Sequence, residues 1–398
     1  MCKFKKLLII LFCSLTLCAC SSKKNENKLV FSTWGSQSEI KIITPLVEKF
    51  ENDNNIDVEI IHIPQNYFQK LHLLFASKKS PDVIFINNYY IPIYQNAGLL
   101  LDLTPYFQNE INNDLYFTNA IKSMSIDKKL YAIPRDISNL VIYYNKNLFK
   151  KYKIAYPQTN WTYNDLLKIG EKFAKHDIYA IGFEENPLYW EPILWANNAS
   201  IFDNNGNTNI NNTNSLNALK YYIELKNKYK ITPDKSYTMN RTNAQLFLDE
   251  KIAMHISGRW LVHKYRNEAK FDWDIINLPN GKAGSISSSD SSGWAISKTS
   301  PNKDLAVKFI KYMSSNEVIN EITKTGLIIP ARKDVAYSTT FLDELKPQHA
   351  KIFLKINNNA KIKNIPKDYY KKIDRLMKIL EPYFLNKKII LQDTKFEL

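Results

Sequence analysis

Cysteine is scarce in this chain of 398 residues, and its distribution is informative. The four cysteines are Cys2, Cys13, Cys18 and Cys20, and none follows them. From residue 21 onward the sequence therefore excludes a disulfide, a thiol nucleophile and a cysteine-based metal site. An exported domain can dispense with disulfides when its core is large, and this chain is long enough for two lobes of ordinary size.

Arginine is also scarce, since only six of the 54 basic residues are Arg. The lysines are scattered, and they form no basic block that could follow a nucleic acid. Lys, Asn, Ile and Tyr are all abundant, a pattern typical of an AT-rich coding bias. We therefore expect no nucleic-acid partner, in spite of a formal net charge of +15.

Histidines with metal-ligand spacing are lacking as well. The six histidines are His62, His72, His176, His255, His263 and His349. The nearest group of carboxylates, Glu184, Glu185 and Glu191, could serve a glycosidase that uses paired carboxyl groups. Because adjacent glutamates usually point in different directions, we interpret the three as solvated surface residues. We expect no metal, no cofactor and no enzymatic activity.

The first apolar run, Leu7–Leu17, is too short to cross a membrane. It follows a basic stretch and precedes small residues, which is the pattern of a secretory signal. The residues up to Cys20 resemble the bacterial lipobox, and this predicts cleavage before Cys20 and lipidation of that cysteine. A plain signal peptide cleaved nearby is the alternative. We expect a signal peptide over 1–19, a lipidated tether over 20–27, and export to the membrane surface or the periplasmic side.

The body opens with alternating strands and helices. Leu29–Ser32, Ile56–Ile61 and Asp82–Ile86 read as short buried strands, separated by two helices with apolar faces. This β-α-β-α-β order predicts a mostly parallel sheet. Ligands bind outside the carboxyl ends of the strands in such sheets. Trp34 and the pair Asn87–Asn88 stand at two of these ends.

The first helix has a start signal and an interruption. Ser36 and Glu39 form a capping box, which predicts a helix start at that point. Pro45 lies inside the apolar pattern of this helix. We expect either a kink at Pro45 or a regular helix that begins only there, with Thr44 as the cap.

Two apolar runs, Leu130–Ile133 and Val141–Tyr144, flank a polar segment that follows Pro134. Such a segment suits a crossing between two lobes, although an ordinary strand–turn–strand is the alternative. In a crossing, the polar side chains Arg135, Asp136 and Ser138 would lie on the floor of a cleft.

Three later stretches complete the candidate features. A second aromatic cluster contains Trp190 and Trp195, and Gly258 and Trp260 stand at the end of a predicted strand over 252–256. Residues 281–293 are rich in Gly and Ser, which predicts a flexible return segment.

The last part of the chain is read as helical. Ser300 is predicted to cap a helix with Pro301 at its first position. The tail carries an apolar stripe of Leu376, Leu380 and Phe384, interpreted as core packing.

Seven segments resemble the family 1 extracellular solute-binding proteins, the carbohydrate-binding components of ATP-driven importers. They occur in the family's order and cover most of residues 28–335. They are FSTWG, PDVIFINNYY with AGLLLDLTPYF, YAIPRDISNLVIYYNKNLF, NWTYNDLL, EKIAMHISGRW, GWAISKTSPNKDLAVKFIKYMSS and GLIIPAR. The tail from about residue 341 matches only weakly.

The resemblance implies an α/β fold of the type II periplasmic-binding-protein kind. Its two lobes have mostly parallel sheets flanked by helices and are joined by a hinge of crossing segments. Matching the segments places lobe one at 28–134 plus 286–329 and lobe two at 135–285 plus 330–398. The implied function is capture of a carbohydrate by hinge closure and its delivery to an ABC permease, with a monomeric binding protein.

A sugar offers apolar C–H faces, which suit aromatic rings, and hydroxyl groups, which suit polar side chains and backbone amides. Trp34 and Trp260 carry the most weight, because family members place sugar-contacting aromatics at the matching positions. Trp161 and Trp195 are expected in the core, whereas the glycines would allow close backbone approach. The predicted ligand-binding residues are Trp34, Asn87, Asn88, Arg135, Asp136, Ser138, Trp190, Gly258, Trp260, Asp290, Gly293 and Arg332.

Alternatives remain open from the sequence. Arg135 is unusual for this segment of the family, and it would suit an anionic ligand such as a uronic acid or glycerol 3-phosphate. It would equally suit an ion pair with Asp136 or with a carboxylate of the other lobe. A surface lipoprotein for adhesion or sensing on the same fold is a further hypothesis, since a fold does not determine a function.

Overall fold

The computed structural model describes residues 27–343, 346–366, 368–388, 391–392 and 394–398. The expected signal peptide and Cys20 lie outside the described residues. Within the described ranges, no helix has both the length and the apolar character needed to span a bilayer.

The described part of the chain alternates short strands and helices throughout. The strands are β1 (Lys28–Thr33), β2 (Asp57–His62), β3 (Val83–Asn87), β4 (Ser125–Ile126), β5 (Lys129–Leu130), β6 (Ile133–Ser138), β7 (Leu140–Asn145), β8 (Tyr179–Ile181), β9 (Ile252–Gly258), β10 (Trp273–Ile276), β11 (Asp290–Ile296) and β12 (Ile329–Pro330). The helices up to residue 248 are α1 (Gln37–Asn54), α2 (Tyr67–Ala76), α3 (Ile91–Asn96), α4 (Thr104–Phe107), α5 (Thr118–Ser123), α6 (Lys146–Lys151), α7 (Tyr163–Ala174), α8 (Pro187–Ala196), α9 (Thr213–Asn227), α10 (Lys235–Thr238) and α11 (Asn243–Leu248). A 3₁₀ turn (Arg259–Leu261) precedes α12 (Val262–Glu268), α13 (Lys303–Met313), α14 (Asn316–Lys324), α15 (Lys333–Ala336), α16 (Thr339–Leu342), α17 (Lys351–Asn357) and α18 (Tyr369–Phe384).

A six-stranded sheet has the order β12-β6-β11-β3-β1-β2. Its strands β1, β2 and β3 are parallel, as the opening of the sequence predicts. Strand β11 returns from the far end of the chain and runs antiparallel to β3 and β6, so the sheet as a whole is mixed. The carboxyl ends of β1 and β3 therefore lie at the same edge as the start of β11.

A four-stranded sheet has the order β10-β7-β9-β8. The chain passes from the first sheet to this one at Asn139, the single residue between β6 and β7. The predicted polar crossing is thus mostly strand, because Ile133–Ser138 pairs with β11. The side chain of Asn139 is buried and donates to the Phe353 carbonyl at 2.8 Å, which anchors the crossing.

Three clusters of buried apolar side chains hold the described residues together. One lies around the first sheet, and a second packs one face of β7 and β9 against helices that include α18. The third joins Ile137 and Ile329 of the first sheet to Val141 and Tyr143 of the second. The stripe of the tail, Leu376, Leu380 and Phe384, is buried in the second cluster, as predicted.

Helix α1 runs through Pro45, so the expectation that the regular helix begins only there, with Thr44 as the cap, is wrong. The kink at Pro45 stays a prediction. The capping box of Ser36 and Glu39 is present. Pro45 lies on the exposed face, where water can satisfy the carbonyl that loses its partner. The buried side chains Ile43 and Val47 flank it and keep the helix on the core.

Part of the Gly/Ser-rich segment 281–293, which the sequence predicted to be flexible, is buried and regular. Residues 286–291 are buried, and β11 begins at Asp290. Two of the serine hydroxyls have hydrogen-bond partners: Leu140 N donates to Ser287 Oγ at 2.7 Å, and Ser289 Oγ donates to Asn357 Oδ1 at 3.2 Å. Composition alone therefore misled, since these partners lie far away in sequence.

Helix α13 starts later than predicted, with Asn302 as its N-cap. Ser300 donates instead to Asp82 Oδ1 at 2.6 Å, and its Oγ accepts from Asn302 N at 3.1 Å. Its hydroxyl thus ties the loop to the entry of β3.

Candidate ligand-binding cleft

A cleft with a volume of about 490 Å³ is lined by residues from both sheets. This volume is in the usual range for small-molecule sites, about 300–1,000 Å³. The first sheet contributes its strand ends and β6, and the second contributes β7 and the turn after β9. Eight predicted residues line it: Trp34, Asn87, Asn88, Arg135, Asp136, Ser138, Trp260 and Asp290.

Trp34 follows β1 and stands in an aromatic group. Its ring centroid lies 4.3 Å from that of Phe85, 5.1 Å from Tyr67 and 5.5 Å from Phe68. Tyr67 and Phe68 also line the cleft. The packing fixes the Trp34 indole, so a ligand face can dock on it at little entropic cost.

Trp260 enters the cleft from the turn after β9. Its indole lies directly against Gly258, where a Cβ atom would come within 1.9 Å of a ring carbon. Gly258 therefore does not line the cleft but provides the space in which the Trp260 ring lies. Trp34 follows a strand of the first sheet, Trp260 follows a strand of the second, and both line one cleft.

Arg135 and Asp136 form an ion pair on β6. The Nε and a terminal nitrogen of Arg135 contact Asp136 Oδ2 at 2.7 and 2.6 Å, and Ser292 N donates to Asp136 Oδ1 at 3.2 Å. The guanidinium also lies 4.2 Å from the centroid of the Phe85 ring. Burial raises the pKa of Asp136, although the charge of Arg135 acts in the opposite direction. The positive charge of Arg135 is thus matched within the protein.

Asn88 and Asp290 connect the end of β3 to the start of β11. Asn88 Nδ2 donates to Asp290 Oδ1 at 3.5 Å, and Ser291 N donates to Asn88 Oδ1 at 3.1 Å. Ser138 of β6 is the register partner of Asp290 on the other side. At the same edge, Asn87 Oδ1 accepts from Tyr89 N at 3.1 Å. These contacts hold amide and carboxylate groups at the cleft wall, where hydroxyl groups can bind.

Three other predicted residues lie outside the cleft. Trp190 is fully buried in α8 and donates from its indole to the Glu185 carbonyl at 2.9 Å. Arg332 pairs with Asp334 at 2.7 Å and donates to the Ser314 carbonyl at 3.1 Å. Gly293 is buried in β11, where a Cβ would come within 2.1 Å of the Ile133 carbonyl oxygen. Trp161 and Trp195 are buried, as predicted.

Several cleft residues were not predicted. Glu39 lines the cleft, and its Oε2 accepts from Ser36 N at 2.6 Å. The capping box signalled Glu39 only as a helix start. Arg259 and Leu188 also line the cleft. Arg259 precedes Trp260 and could have been found from that neighbour, whereas Leu188 carries no signal in the sequence.

Glu191 contradicts the interpretation of the three glutamates as solvated. It is 3% exposed, and its Oε2 lies 2.8 Å from Lys363 Nζ in a buried ion pair. Burial raises the pKa of Glu191, and the charge of Lys363 acts against that rise. Within the described ranges, no three His, Cys, Asp or Glu side chains are arranged so as to hold a metal ion.

Two curated relatives resemble the chain over most of its length. The maltodextrin-binding protein MdxE of Bacillus subtilis is 28% identical over 77% of this chain and 75% of its own length. A galactooligosaccharide-binding protein of the same organism is 24% identical over 83% of this chain and 82% of its own length.

The fold has a close counterpart among solved structures. The ABC substrate-binding protein Lmo0181 of Listeria monocytogenes, in complex with cycloalternan, superimposes with a TM-score of 0.85. The two sequences are 24% identical, and the match covers 92% of this chain and 95% of the Listeria protein. The likeness establishes the type II periplasmic-binding-protein fold. A family model described as "Bacterial extracellular solute-binding protein" matches residues 34–319. The chain therefore belongs to the bacterial extracellular solute-binding protein family.

Proposed function

We propose that this protein captures a carbohydrate in the cleft and delivers it to the permease of an ABC importer. The observation that carries the proposal is the meeting of Trp34 and Trp260, from different sheets, around polar groups in one cleft. Indole rings suit the C–H faces of a sugar, and Asn88 and Asp290 suit its hydroxyl groups. The names of the relatives MdxE and the galactooligosaccharide-binding protein support the same ligand class.

A neutral sugar suits the cleft better than glycerol 3-phosphate or a uronic acid. Arg135 is the residue that suggested an anion, and it is engaged by Asp136 at 2.6 Å. Beyond that pair, the cleft is lined by two further carboxyl groups, Glu39 and Asp290, and by one further cation, Arg259. Ionised carboxylates repel an anion and accept hydrogen bonds from hydroxyl groups.

We propose that the protein is a binding component and not an enzyme. A glycosidase needs two carboxyl groups that face one scissile bond. Glu191, the glutamate suggested for that role, is buried against Lys363, and it does not line the cleft. The cleft thus lacks this carboxylate, and the three carboxyl groups that do line it each accept a hydrogen bond within the protein.

Each sheet is proposed to mark one lobe, with Asn139 as one point of the hinge. A ligand that touches Trp34 and Trp260 together favours the closed arrangement, since only differential contacts shift such an equilibrium. The matched segments placed the boundary between the lobes at residues 134/135. This boundary then lies a few residues later in the chain, because β6 remains paired with the first sheet up to Ser138.

A thermal-shift screen of the full-length chain tests the proposal. The panel contains monosaccharides, maltodextrins, galactooligosaccharides and glycerol 3-phosphate. At least one neutral sugar is expected to raise the unfolding midpoint, because a ligand that binds only the folded state stabilises it. Trp34→Ala and Trp260→Ala should each weaken binding by about tenfold or more in calorimetry.

Tyr337→Ala is the control for loss of an aromatic ring, since Tyr337 is 57% exposed and does not line the cleft. It should bind the sugar as the unaltered chain does. Failure of every sugar in the panel, or equal losses for the control and the two tryptophan variants, would overturn the proposal.

The membrane attachment is proposed from the sequence alone. Cys20 would carry the lipid after removal of residues 1–19. Mass spectrometry of the mature N-terminus should find an acylated Cys20, and Cys20→Ser should release the protein from the membrane fraction. An unmodified N-terminus elsewhere would contradict this.

A further inference from the structure

A short segment near the end of the chain passes behind the cleft wall. We call residues 358–366 the strap. It is hydrogen-bonded to the segment that leads into β11: Ser289 N donates to the Lys361 carbonyl at 2.8 Å, and Lys361 N donates to the Ser287 carbonyl at 2.9 Å. Asp290, which lines the cleft, follows directly. The strap therefore fixes the backbone next to this carboxylate.

Lys363 of the strap is a buried cation, and its side chain is only 4% exposed. Its Nζ lies 2.8 Å from Glu191 Oε2 and 5.2 Å from the centroid of the Tyr89 ring. Tyr89 and Asp290 line the cleft, whereas Lys363 and Glu191 do not. The ammonium thus lies one layer behind the surface that a ligand would touch.

We propose that Lys363 is a positioning residue for the cleft. Its positive charge, on the side of Asp290 away from the ligand, keeps the Asp290 carboxyl group ionised, so that this group can accept a hydrogen bond from a ligand hydroxyl group. The inference rests on the proposed function, because it assigns a role within the same cleft. Glu191 pairs directly with this ammonium. The parallel bridge between Ser288 and Lys361 places Asp290 and Lys363 two residues further along neighbouring backbones, so Asp290 experiences the same positive charge without a direct ion pair. The cluster keeps a net negative charge beside the cleft, which favours hydroxyl donors and disfavours anions.

The electrostatics agree with this arrangement. Burial raises the pKa of Asp290, and the charge of Lys363 is the largest influence that opposes the rise. Burial lowers the pKa of Lys363, but the negative charges of Glu191 and Asp290 outweigh that effect and leave it raised. Lys363 therefore remains an ammonium.

Other charged and titratable groups surround Asp290 from each neighbouring element. Tyr89 comes from the loop after β3, Tyr369 from α18 and Glu191 from α8. The Arg135–Asp136 pair occupies the adjacent strand, and its charges compensate each other. Among the described groups with a resolved influence on Asp290, Lys363 is the cation.

The test removes both charges behind the wall together, in Glu191→Gln/Lys363→Met. Removing one alone would leave an uncompensated buried charge and endanger folding. Calorimetry with the sugar that gives the largest thermal shift is carried out from pH 5 to pH 8. Near pH 5 the double variant is expected to bind about tenfold more weakly than the unaltered chain, and to recover as the pH rises. Asp290 would gain a proton more readily without Lys363, and the protonated group is the poorer acceptor.

Asp290→Asn separates this role from a merely structural one. If Lys363 acts through Asp290, removing the Glu191–Lys363 pair in the Asp290→Asn background changes the affinity less than twofold and adds no pH dependence. The matched control is Glu185→Gln/Lys226→Met, which removes another Lys–Glu pair, 3.8 Å apart and away from the cleft. It should leave binding unchanged at every pH.

A ligand-free measurement keeps the inference testable if no sugar binds. Glu191 is replaced in this variant and has a raised pKa of its own, so the part of the slope that belongs to Asp290 is measured as the difference that Asp290→Asn makes. In urea unfolding from pH 5 to 8, this Asp290-dependent loss of stability should be steeper in Glu191→Gln/Lys363→Met than in the chain that keeps the pair. A carboxyl group whose pKa is raised by folding carries its proton longer in the folded state, so stability falls with rising pH.

The two failures are distinguishable. If no sugar in the panel raises the unfolding midpoint but urea unfolding gives the expected result, the proposed function is wrong and the role of Lys363 is supported. A folded double variant that binds and unfolds as the unaltered chain does, over the whole pH range, would overturn the role of Lys363. An equal loss of affinity in the Asp290→Asn background would do the same.

Discussion

Gly258 and Gly293 lie near the cleft, but an added methyl group would meet different neighbours at each. At Gly258 it would come within 1.9 Å of the Trp260 ring, and at Gly293 within 2.1 Å of the Ile133 carbonyl oxygen. We expect Gly258→Ala to displace the indole and weaken sugar binding by about tenfold, with a small loss of stability. Gly293→Ala should cost about 3 kcal/mol or more of unfolding free energy, because backbone must move.

Calorimetry measures the sugar affinity of both glycine variants, and urea unfolding measures their stability. Each glycine variant is the control for the other, since one is expected to affect binding and the other folding. A Gly258→Ala variant that binds normally would show that the Trp260 ring does not need its present position.

The burial of His255 predicts that the protein loses stability in acid. It is buried in β9, its Nδ1 lies 2.6 Å from the Tyr265 hydroxyl, and burial lowers its pKa to about 3. An unfolded histidine titrates near pH 6.5, so between pH 6.5 and 3 the unfolded chain binds the extra proton. Stability is therefore fully present above pH 6.5 and is lost as the pH falls.

Replacement of this histidine tests the effect. His255→Gln is expected to flatten the dependence of unfolding free energy on pH between 6 and 4, by up to about 1.4 kcal/mol per pH unit. Urea unfolding at a series of pH values measures it, with circular dichroism as a check on folding. A slope equal to that of the unaltered chain would mean that His255 is not the source.

At this scale the sequence could indicate some cleft residues and not others. Trp34 and Asn87 stand at the ends of parallel strands of one sheet, so the chain order predicts their common edge, and Trp260 stands just past the end of a strand of the other sheet. Trp190 lies in the middle of α8, and the side of that helix which faces the core depends on packing partners from distant segments. Lys363 has no neighbouring motif, and its partner Glu191 precedes it by more than a hundred residues.

Helix α18 shows how an element of weakly matched sequence can belong to the core. Leu376 and Leu380 are fully buried in the cluster of the second sheet. Leu376→Ala should therefore lower the free energy of unfolding by about 2–5 kcal/mol. Lys378→Ala in the same helix is the control, because its side chain is 74% exposed.

Urea unfolding measures both helix variants. The lysine variant should stay close to the unaltered chain. Equal stability of the leucine variant would imply that α18 is detached from the body in solution.

Strand β11 illustrates the limit of composition at the scale of an element. Its first four residues, Asp290–Gly293, have the composition of a loop, and the sequence analysis read them so. They form a strand because β3 and β6 offer hydrogen-bonding edges on both sides. Local propensity is weak against such pairing. The apolar strands β1 and β3, in contrast, were predictable from their own residues.

At the scale of the whole molecule, an aromatic contact joins the loop after β3 to the start of α18. Tyr90 follows β3, and its ring stacks on that of Tyr370 at the start of α18, with centroids 4.7 Å apart. Tyr89 and Tyr369 are also parallel, at 6.2 Å. Opening of the cleft by a hinge would separate such pairs unless the start of α18 moved with the first sheet.

We predict that Tyr370→Ala increases the radius of gyration of the unliganded protein, because the loss of the stacked ring favours the open arrangement. With saturating sugar, the variant and the unaltered chain should converge. Small-angle X-ray scattering measures both states, and Trp260→Ala serves as a control that should need about tenfold more sugar to contract. Identical values for the two unliganded proteins would exclude the tyrosine pair as a closing contact.

The fold of the whole molecule was easier to predict than its boundaries. The opening β-α-β-α-β order and the seven ordered segments define the α/β class. The mixed pairing of the first sheet depends on β11 and β12, which return from beyond residue 289. No local pattern encodes such a return. The resemblance to a family assigned residues 286–329 to the first lobe, but it implied mostly parallel sheets and did not predict the antiparallel pairing of β11 and β12.

The tryptophans of this protein differ in exposure, and their intrinsic fluorescence can therefore report ligand binding. Five of the seven are buried, whereas Trp34 and Trp260 are only partly buried and line the cleft. A sugar that docks on them would displace water from these two indoles and leave the other five undisturbed. The intrinsic fluorescence should therefore shift on titration without any attached dye, and iodide should quench the unliganded form more than the occupied one.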